Sequence, residues 1–283
     1  MLQPLLKAVV GLLFLLFVFG VIEHVFGNKR GQLPRKHELL LDVVHAVFNQ
    51  IVTRWLTAVA VLALAIAILT PLVIGGVDAL DANGQFKGFG PVGTAPLWIQ
   101  CLAALIIGDF LLYWIHRLFH RRRLWPFHAV HHSSSQLDWL STFRSHPVNE
   151  IVGNLFLTAP FLLLGFSPSA SFLSPALLGL YTIFVHSDVN WTFGPLRYVF
   201  VSPAFHRWHH SKTPEAIDKN FASLLPLWDL LFHTSYFPKG QAPSNFGIHQ
   251  PIPSTWWGQM LHPFRNHRQP PLPPHPPPSS HHP

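Results

Sequence analysis

Charge is what this 283-residue chain has least of: Asp, Glu, Lys and Arg make up 11% of it, against roughly 25% in a soluble globular domain, while 49% is hydrophobic. That balance sets aside a soluble globular reading in favour of a bilayer as solvent. Cysteine is nearly absent. Cys101 stands alone in an apolar stretch, which excludes a disulfide framework and any thiolate zinc or iron–sulfur site. Methionine is scarce, with 2 residues against 24 Phe and 10 Trp, so lipid-facing packing and interfacial anchoring fall to aromatic rings. No haem or flavin motif and no repeat at solenoid period is visible. The net charge of +7 is not interleaved with a stacking platform, so it is read as membrane topology and contact with anionic lipid, not as nucleic-acid binding.

Long uncharged runs are present instead. Residues 55–77 and 151–187 contain no Asp, Glu, Lys or Arg, and each exceeds the ~18 residues that mark a candidate span. Residues 5–26 form another, interrupted by Lys7 and Glu23 near its ends. No small-residue cleavage site follows its apolar core, so it is read as a retained helix and not a signal peptide. Residues 97–115 form a fourth candidate and carry Asp109. The run 151–187 is too long for one helix, and "GFSPSAS" in its middle supplies the turn residues of a hairpin. The expectation is an all-α integral membrane protein with four to five apolar helices, as five crossings or as three crossings and a shallow re-entrant pair, under a cytoplasmic helical cap. Residues 1–96 are expected to hold the N-terminal transmembrane helices and their loops, 97–240 the functional region, and 241–283 a C-terminal extension. The extension ends in "QPPLPPHPPPSSHHP", a composition expected to be extended or disordered, so His275, His281 and His282 are set aside as site residues.

Orientation follows from the basic residues. Lys29, Arg30, Arg35 and Lys36 lie between the first two spans and Arg117, Arg121, Arg122 and Arg123 follow the third, whereas residues 75–96 hold Lys87 alone beside Asp78 and Asp81. Basic sides face the cytoplasm, which places the loop 27–49 and the chain after residue 192 there. A hairpin over 151–187 returns the chain to His186 on the same surface.

Histidine is abundant, with 20 residues, and it is clustered. "SPAFHRWHHSK" (202–212) sets His206, His209 and His210 at i, i+3 and i+4, which share one face of a helix. Ser202 and Pro203 read as an N-cap and a first-turn proline. The same H-x-x-H-H spacing recurs at His128, His131 and His132 behind Pro126, and "HRLFH" sets His116 and His120 at i and i+4. Random placement would give on the order of 0.1 copies of H-x-x-H-H per chain. Neutral imidazole suits iron, copper, zinc and nickel, and histidines facing inward from several helices are a way to hold two metals.

The order H-x-x-x-H, H-x-x-H-H, a lone "HSDVN", then H-x-x-H-H, with "DFLLYWIHRLFH", "FRSHPVNE" and "KNFASLLPLWDLLFHTSY", resembles the fatty acid hydroxylase and sterol desaturase superfamily over residues 97–237. The resemblance implies a membrane-bound non-haem di-iron oxygenase that hydroxylates or desaturates a lipid with O2 and external reductant. Carried over position by position, it implies His116, His120, His128, His131, His132, His186, His206, His209 and His210 as ligands of two Fe ions. Zinc, which binds imidazole more tightly than ferrous iron, is the expected substitute in overexpressed protein. Some fatty acid hydroxylases have a further His four residues before the one matching His186; here that place is Thr182. Imidazole, unlike thiolate, resists oxidation by what the metal generates. Electrons are expected from a separate donor, cytochrome b5-like or ferredoxin-like.

Asp109 lies seven residues before His116 on the same helical face, and a carboxylate inside an apolar span is functional by default. It is read as accepting the outer ring N–H of a ligating His, against the alternative of an interfacial carboxylate paired with a nearby Arg. For His146, Asp188 and Asp229, turn, cap and surface-charge roles stand beside that same supporting role.

Two other classes of function share the histidines: a metal transporter and a non-catalytic protein with a structural metal. Transport sites lie near the bilayer midplane, whereas these clusters lie at or beyond the ends of the spans, which favours the oxygenase. The topology is open to a direct check. Single cysteines placed in Cys101→Ser protein are expected to be labelled from the cytoplasmic side at positions 27–49 and after 192, and from the opposite side at 75–96; outside labelling beside His206 would overturn the shared cytoplasmic site.

Overall fold

The computed structural model describes residues 2–28, 36–243 and 245–265. Lys29, Arg30 and Arg35 of the basic loop, and His275, His281 and His282 of the tail, lie outside the described residues. Among the described residues there is no strand, only isolated bridges at Leu80–Phe86 and Ser211–Phe246. Three helical stretches are long and apolar enough to cross a membrane: His37–Ile74, Leu97–Phe119 and Pro168–His186. Leu13–Phe26 and Pro147–Leu163 are shorter apolar helices, so the four to five expected are present.

In chain order the helices are α1 (Leu2–Phe26), α2 (Lys36–Phe48), α3 (Arg54–Ile74), α4 (Gly90–Thr94), α5 (Leu97–Phe119), α6 (Trp125–His132), α7 (Pro147–Leu163), α8 (Pro168–His186), α9 (Pro203–His209), α10 (Leu227–Leu231) and α11 (Trp256–Leu261). One difference from the sequence reading is instructive. Residues 27–49 are expected there as a loop, yet α2 runs through a π-helical turn, Asn49–Thr53, straight into α3. Glu38, Asp42, His45 and Asn49 recur at i, i+4, i+7 and i+11, one stripe of a 3.6-residue helix. Asp42 and His45 on that stripe are buried, while Leu39, Leu40, Val43, Val44 and Val47 face outward. A charge count reads the acids as interruptions of an apolar run; their periodicity makes them the inner face of a helix whose greasy side suits lipid.

The expected hairpin is present as α7 and α8, with its turn at Leu164–Ser167. Gly165 takes φ +80, a conformation that costs an L side chain, and its carbonyl accepts from Phe89 N at 3.0 Å. Gln100, near the start of α5, ties this end of the bundle together: its side chain donates to Gly93 O and Ala95 O and accepts from Ser167 N. Ala104, Phe161, Phe166 and Ala170 fill the space between α5, α7 and α8. At Gly108 an added Cβ would come within 3.1 Å of Leu178, so α5 and α8 approach closely there. The opposite ends of α5 and α8 carry His116 and His186, and over them sits a cap built from α6, a 3-10 turn at Trp139–Phe143, α9, α10 and α11. As the residue types predict, α6 and α9 begin with a first-turn proline, and Ser202 Oγ caps α9 by accepting from Phe205 N at 3.2 Å.

The close turn yields a stability prediction. A Cβ at residue 165 would lie 2.4 Å from the Phe89 carbonyl oxygen and would also have to adopt positive φ. Gly165→Ala is therefore expected to destabilise the protein by at least about 1–2 kcal/mol, read as a lowered midpoint of thermal unfolding in detergent; an unchanged midpoint would rule out this packing.

Candidate metal centre

Short helices with fixed starts aim the histidines inward. His116 of α5 with His120 at its C-cap, His128 and His132 of α6 and His209 of α9 form one group, and His131 of α6, His186 of α8 and His206 of α9 with His210 at its C-cap form a second. Within each group the candidate ligand atoms all lie within 4.8 Å of one another. The two groups adjoin, with the His132 and His210 rings stacked at 4.3 Å between centroids. All nine predicted histidines are thus brought together.

The hydrogen bonds explain how the rings are aimed. Nδ1 of His116 meets Phe221 O at 2.8 Å, that of His209 meets Lys219 O at 2.7 Å, that of His120 meets Asp218 Oδ1 at 3.1 Å, and that of His128 meets Asn149 Oδ1 at 2.9 Å. In the second group, Nδ1 of His131 meets Arg144 O at 3.2 Å and that of His186 meets Thr182 O at 2.7 Å. Every one of these partners is an oxygen acceptor, so each Nδ1 carries the proton and each neutral ring presents a bare lone pair at Nε2. In the first group Nε2 of His116, His120, His128, His132 and His209 is buried without a hydrogen-bond partner. In the second, His131 Nε2 lies 3.1 Å from His186 Nε2, which lies 3.1 Å from His206 Nε2, which lies 3.2 Å from His210 Nε2.

His131 and His186, both anchored at Nδ1, face each other with two lone pairs at 3.1 Å, which repel unless a cation stands between them. Protonation is a poor remedy. Burial first, and the neighbouring imidazoles after it, hold His128, His131, His132, His206, His209 and His210 well below the ordinary histidine range. Each group can instead hold a metal ion, the chemistry for which neutral, converging imidazoles are suited.

The oxygens themselves are clamped. Residues 218–221 supply three of them, with Asp218 and Asn220 in the left-handed region at φ 57 and 59, which Asp and Asn tolerate better than most. Asn220 Nδ2 donates to Phe205 O and Tyr236 O. Asp229, whose carboxyl is lifted by burial to about 6, accepts from Phe221 N, Ala222 N and Thr234 Oγ1. Asp109 accepts from Leu224 N at 2.8 Å, Leu225 N at 2.9 Å and Trp228 Nε1 at 2.8 Å.

These contacts correct the sequence reading of Asp109. Its bonds run to peptide and indole N–H groups of the segment after Phe221 and not to an imidazole. His146 caps α7 by accepting from Val148 N, and its Nε2 meets Met260 O at 3.1 Å. Asp188 and Asp229 are buried, not surface charges, and Asp188 pairs with Arg207 at 2.8 Å. At the position of the absent histidine, Thr182 Oγ1 bonds back to Leu178 O while its carbonyl holds His186. Sequence reasoning missed Asn149, Asp218 and the four carbonyls, since a carbonyl contributes no residue type to read.

A model of the fatty acid hydroxylase family matches residues 101–234. An ornithine lipid hydroxylase, OlsE, of Rhizobium tropici is 34% identical over 252 residues, covering 87% of this chain and 72% of that protein. The chain belongs to the fatty acid hydroxylase family. An alkylglycerol monooxygenase of Danio rerio is 34% identical over 48% of this chain and 30% of its own length. A very-long-chain aldehyde decarbonylase, GL1-5, of Oryza sativa subsp. indica is 27% identical over 49% of this chain and 25% of its own. No solved structure matches the chain. Membership makes it a membrane-bound oxidoreductase acting on lipid.

Asp109→Asn tests the clamp. The carboxamide keeps the shape but presents an NH2 where an acceptor oxygen served, leaving an N–H of residues 224–228 unpaired. Metal affinity, measured by competition with a chelator, is expected to fall about 10- to 100-fold; wild-type affinity would show that this segment does not position the rings.

Proposed function

We propose that the nine imidazoles bind two iron ions and that the protein hydroxylates a polar acyl lipid, using O2 and electrons from a separate donor protein of the cytochrome b5 or ferredoxin type. The observation that carries this reading is the set of Nδ1-anchored rings whose Nε2 lone pairs converge in two adjacent groups. The class of substrate is taken from the ornithine lipid hydroxylase, which is similar over most of both chains. The region 97–240 is the catalytic unit in this reading, and its site faces the cytoplasm.

Two bound irons supply the activation of O2 needed to attack an unactivated C–H bond. The chain's own residues do the rest. At six of the nine rings the Nδ1–H bonds hold the imidazole fixed with its Nε2 lone pair free, so little reorientation is needed there when a metal or substrate arrives. The Phe221 ring packs edge-on against His116 and His120, and Trp125 lies 5.1 Å from the His120 ring, so apolar surface borders the first group and limits water. Because α5 and α8 end in ligating residues at the cap, an acyl chain can stay in the bilayer while the head group lies among polar cap residues.

His209→Ala removes one of five rings in its group. Wild-type protein from iron-replete cells is expected to hold two metals per chain and to form hydroxylated ornithine lipid only with O2 and reductant. The variant should hold about one metal and form no product. Active wild-type protein with one metal or none would sink the di-iron reading, and metal uptake into vesicles without lipid oxidation would favour a transporter.

A further inference from the structure

The family match begins at residue 101, yet much of what fixes the second imidazole group lies upstream of it. We infer that α1, α2 and the π-helical turn after it belong to the metal centre: Glu23, Asp42 and Asn49 are positioning residues that hold the backbone anchoring the His131 ring and the segment that follows His186, and they act on the four-imidazole group and not on the five-imidazole one. The inference rests on the two-metal reading above.

The chain of contacts runs through Arg144, whose carbonyl accepts from His131 Nδ1. Its guanidinium is buried and donates from Nε to Asp42 Oδ1, also buried, at 2.5 Å. Glu38 Oε2 lies 3.6 Å from the same guanidinium. Asn49 Nδ2 donates to Phe143 O at 3.0 Å and to Ser145 O at 3.1 Å, gripping the peptides on either side of Arg144. Thr53 Oγ1, four residues on and at the end of the π-helical turn, donates to Asn49 Oδ1 and sets the amide's orientation. Glu38 also accepts from the backbone N and the hydroxyl of Ser135, three residues past His132, so it braces the end of α6, which carries rings of both groups.

From α1, Glu23 Oε1 accepts from Trp139 N at 2.9 Å and from Asp188 N at 2.9 Å. One carboxylate oxygen thus joins the 3-10 turn that leads to Arg144 with the residue two positions after His186. Asn28 adds bonds to Asp188 O from both its backbone N and its side chain. Gly27 closes the end of α1, where a Cβ would lie 2.2 Å from Glu23 O.

A helix whose only task was to span lipid would not place carboxylates where burial is costly; here Asp42 accepts from the residue whose carbonyl anchors His131, and Glu23 from the segment that follows His186. The anchors of the five-imidazole group, by contrast, come from Asn149 and residues 218–221.

The test uses the full-length protein, stripped with chelator and titrated with Co(II), read as metal per chain and as ligand-field absorption. Wild type is expected to take two ions. Asp42→Asn keeps the volume but removes the ion pair, so one ion should bind as in wild type and the other about 10- to 100-fold more weakly. Combined with His210→Ala it should lose no more than His210→Ala alone, whereas combined with His209→Ala both ions should be weakened. Should Asp42→Asn fail to fold, Asn49→Ala, which leaves the Asp42–Arg144 pair intact, must weaken the same single ion. Equal weakening of both ions, or of neither, in whichever of these variants folds would overturn the inference. Wild-type protein that takes fewer than two Co(II) would instead defeat the two-metal reading.

Discussion

The cap depends on one interaction repeated at six rings: an imidazole Nδ1–H held by an oxygen that is itself fixed. That bond selects the tautomer, and the tautomer leaves a lone pair at Nε2. Burial then makes the lone pair expensive to leave alone and expensive to protonate. A folded chain with these rings in place therefore favours any cation that satisfies them, and metal binding and folding of the cap are coupled. The remainder of the structure serves to keep six oxygens where they are.

It does so with two scaffolds of different kind. Residues 218–225 form an irregular segment whose peptide groups need outside partners: Asp229 and Asp109 take up the N–H groups of residues 221, 222, 224 and 225, and the Asn220 side chain ties the segment to Phe205 O and Tyr236 O. On the other side, the 3-10 turn and Arg144 are held by regular helices whose polar stripe faces inward. The membrane makes the second arrangement economical, because outward-facing Leu and Val need no polar partner in lipid. The hairpin at the far end, with Gly165 against Phe89, fixes the depth at which α8 delivers His186.

Much of this is legible in the residues and part of it is not. The apolar spans, the hairpin at "GFSPSAS", the proline starts of α6 and α9 and the convergence of nine histidines follow from composition, turn chemistry and spacing, all of which are local. The helix Lys36–Phe48 escapes a reading by charge because Glu38 and Asp42 lower the hydropathy of a segment whose polar residues face protein, not water. The anchors of the rings escape for another reason. Four of the six are backbone carbonyls, and the others, Asn149 and Asp218, lie 21 and 98 residues from their histidines. Only the fold brings them near, and neither stands out among exposed-looking polar residues in the sequence. Asp109 shows the intermediate case: its cost inside a span marks it as consequential, but the identity of its partners depends on where residues 224–228 return.

A division of labour between the two polar residue types follows. Among the described residues the two candidate metal groups are made of histidine alone, while the half-buried carboxylate of Glu23 and the buried ones of Asp42, Asp109 and Asp229 reach backbone N–H groups, an indole, a hydroxyl or a guanidinium. Neutral ligands would leave the charge of a bound cation uncancelled. Anionic ligands would offset it directly. Carboxylates set back from the rings and bonded to the segments that anchor them stiffen the geometry without occupying coordination positions. The same separation explains why acids occur inside the apolar helices at all: there they brace the centre instead of binding within it.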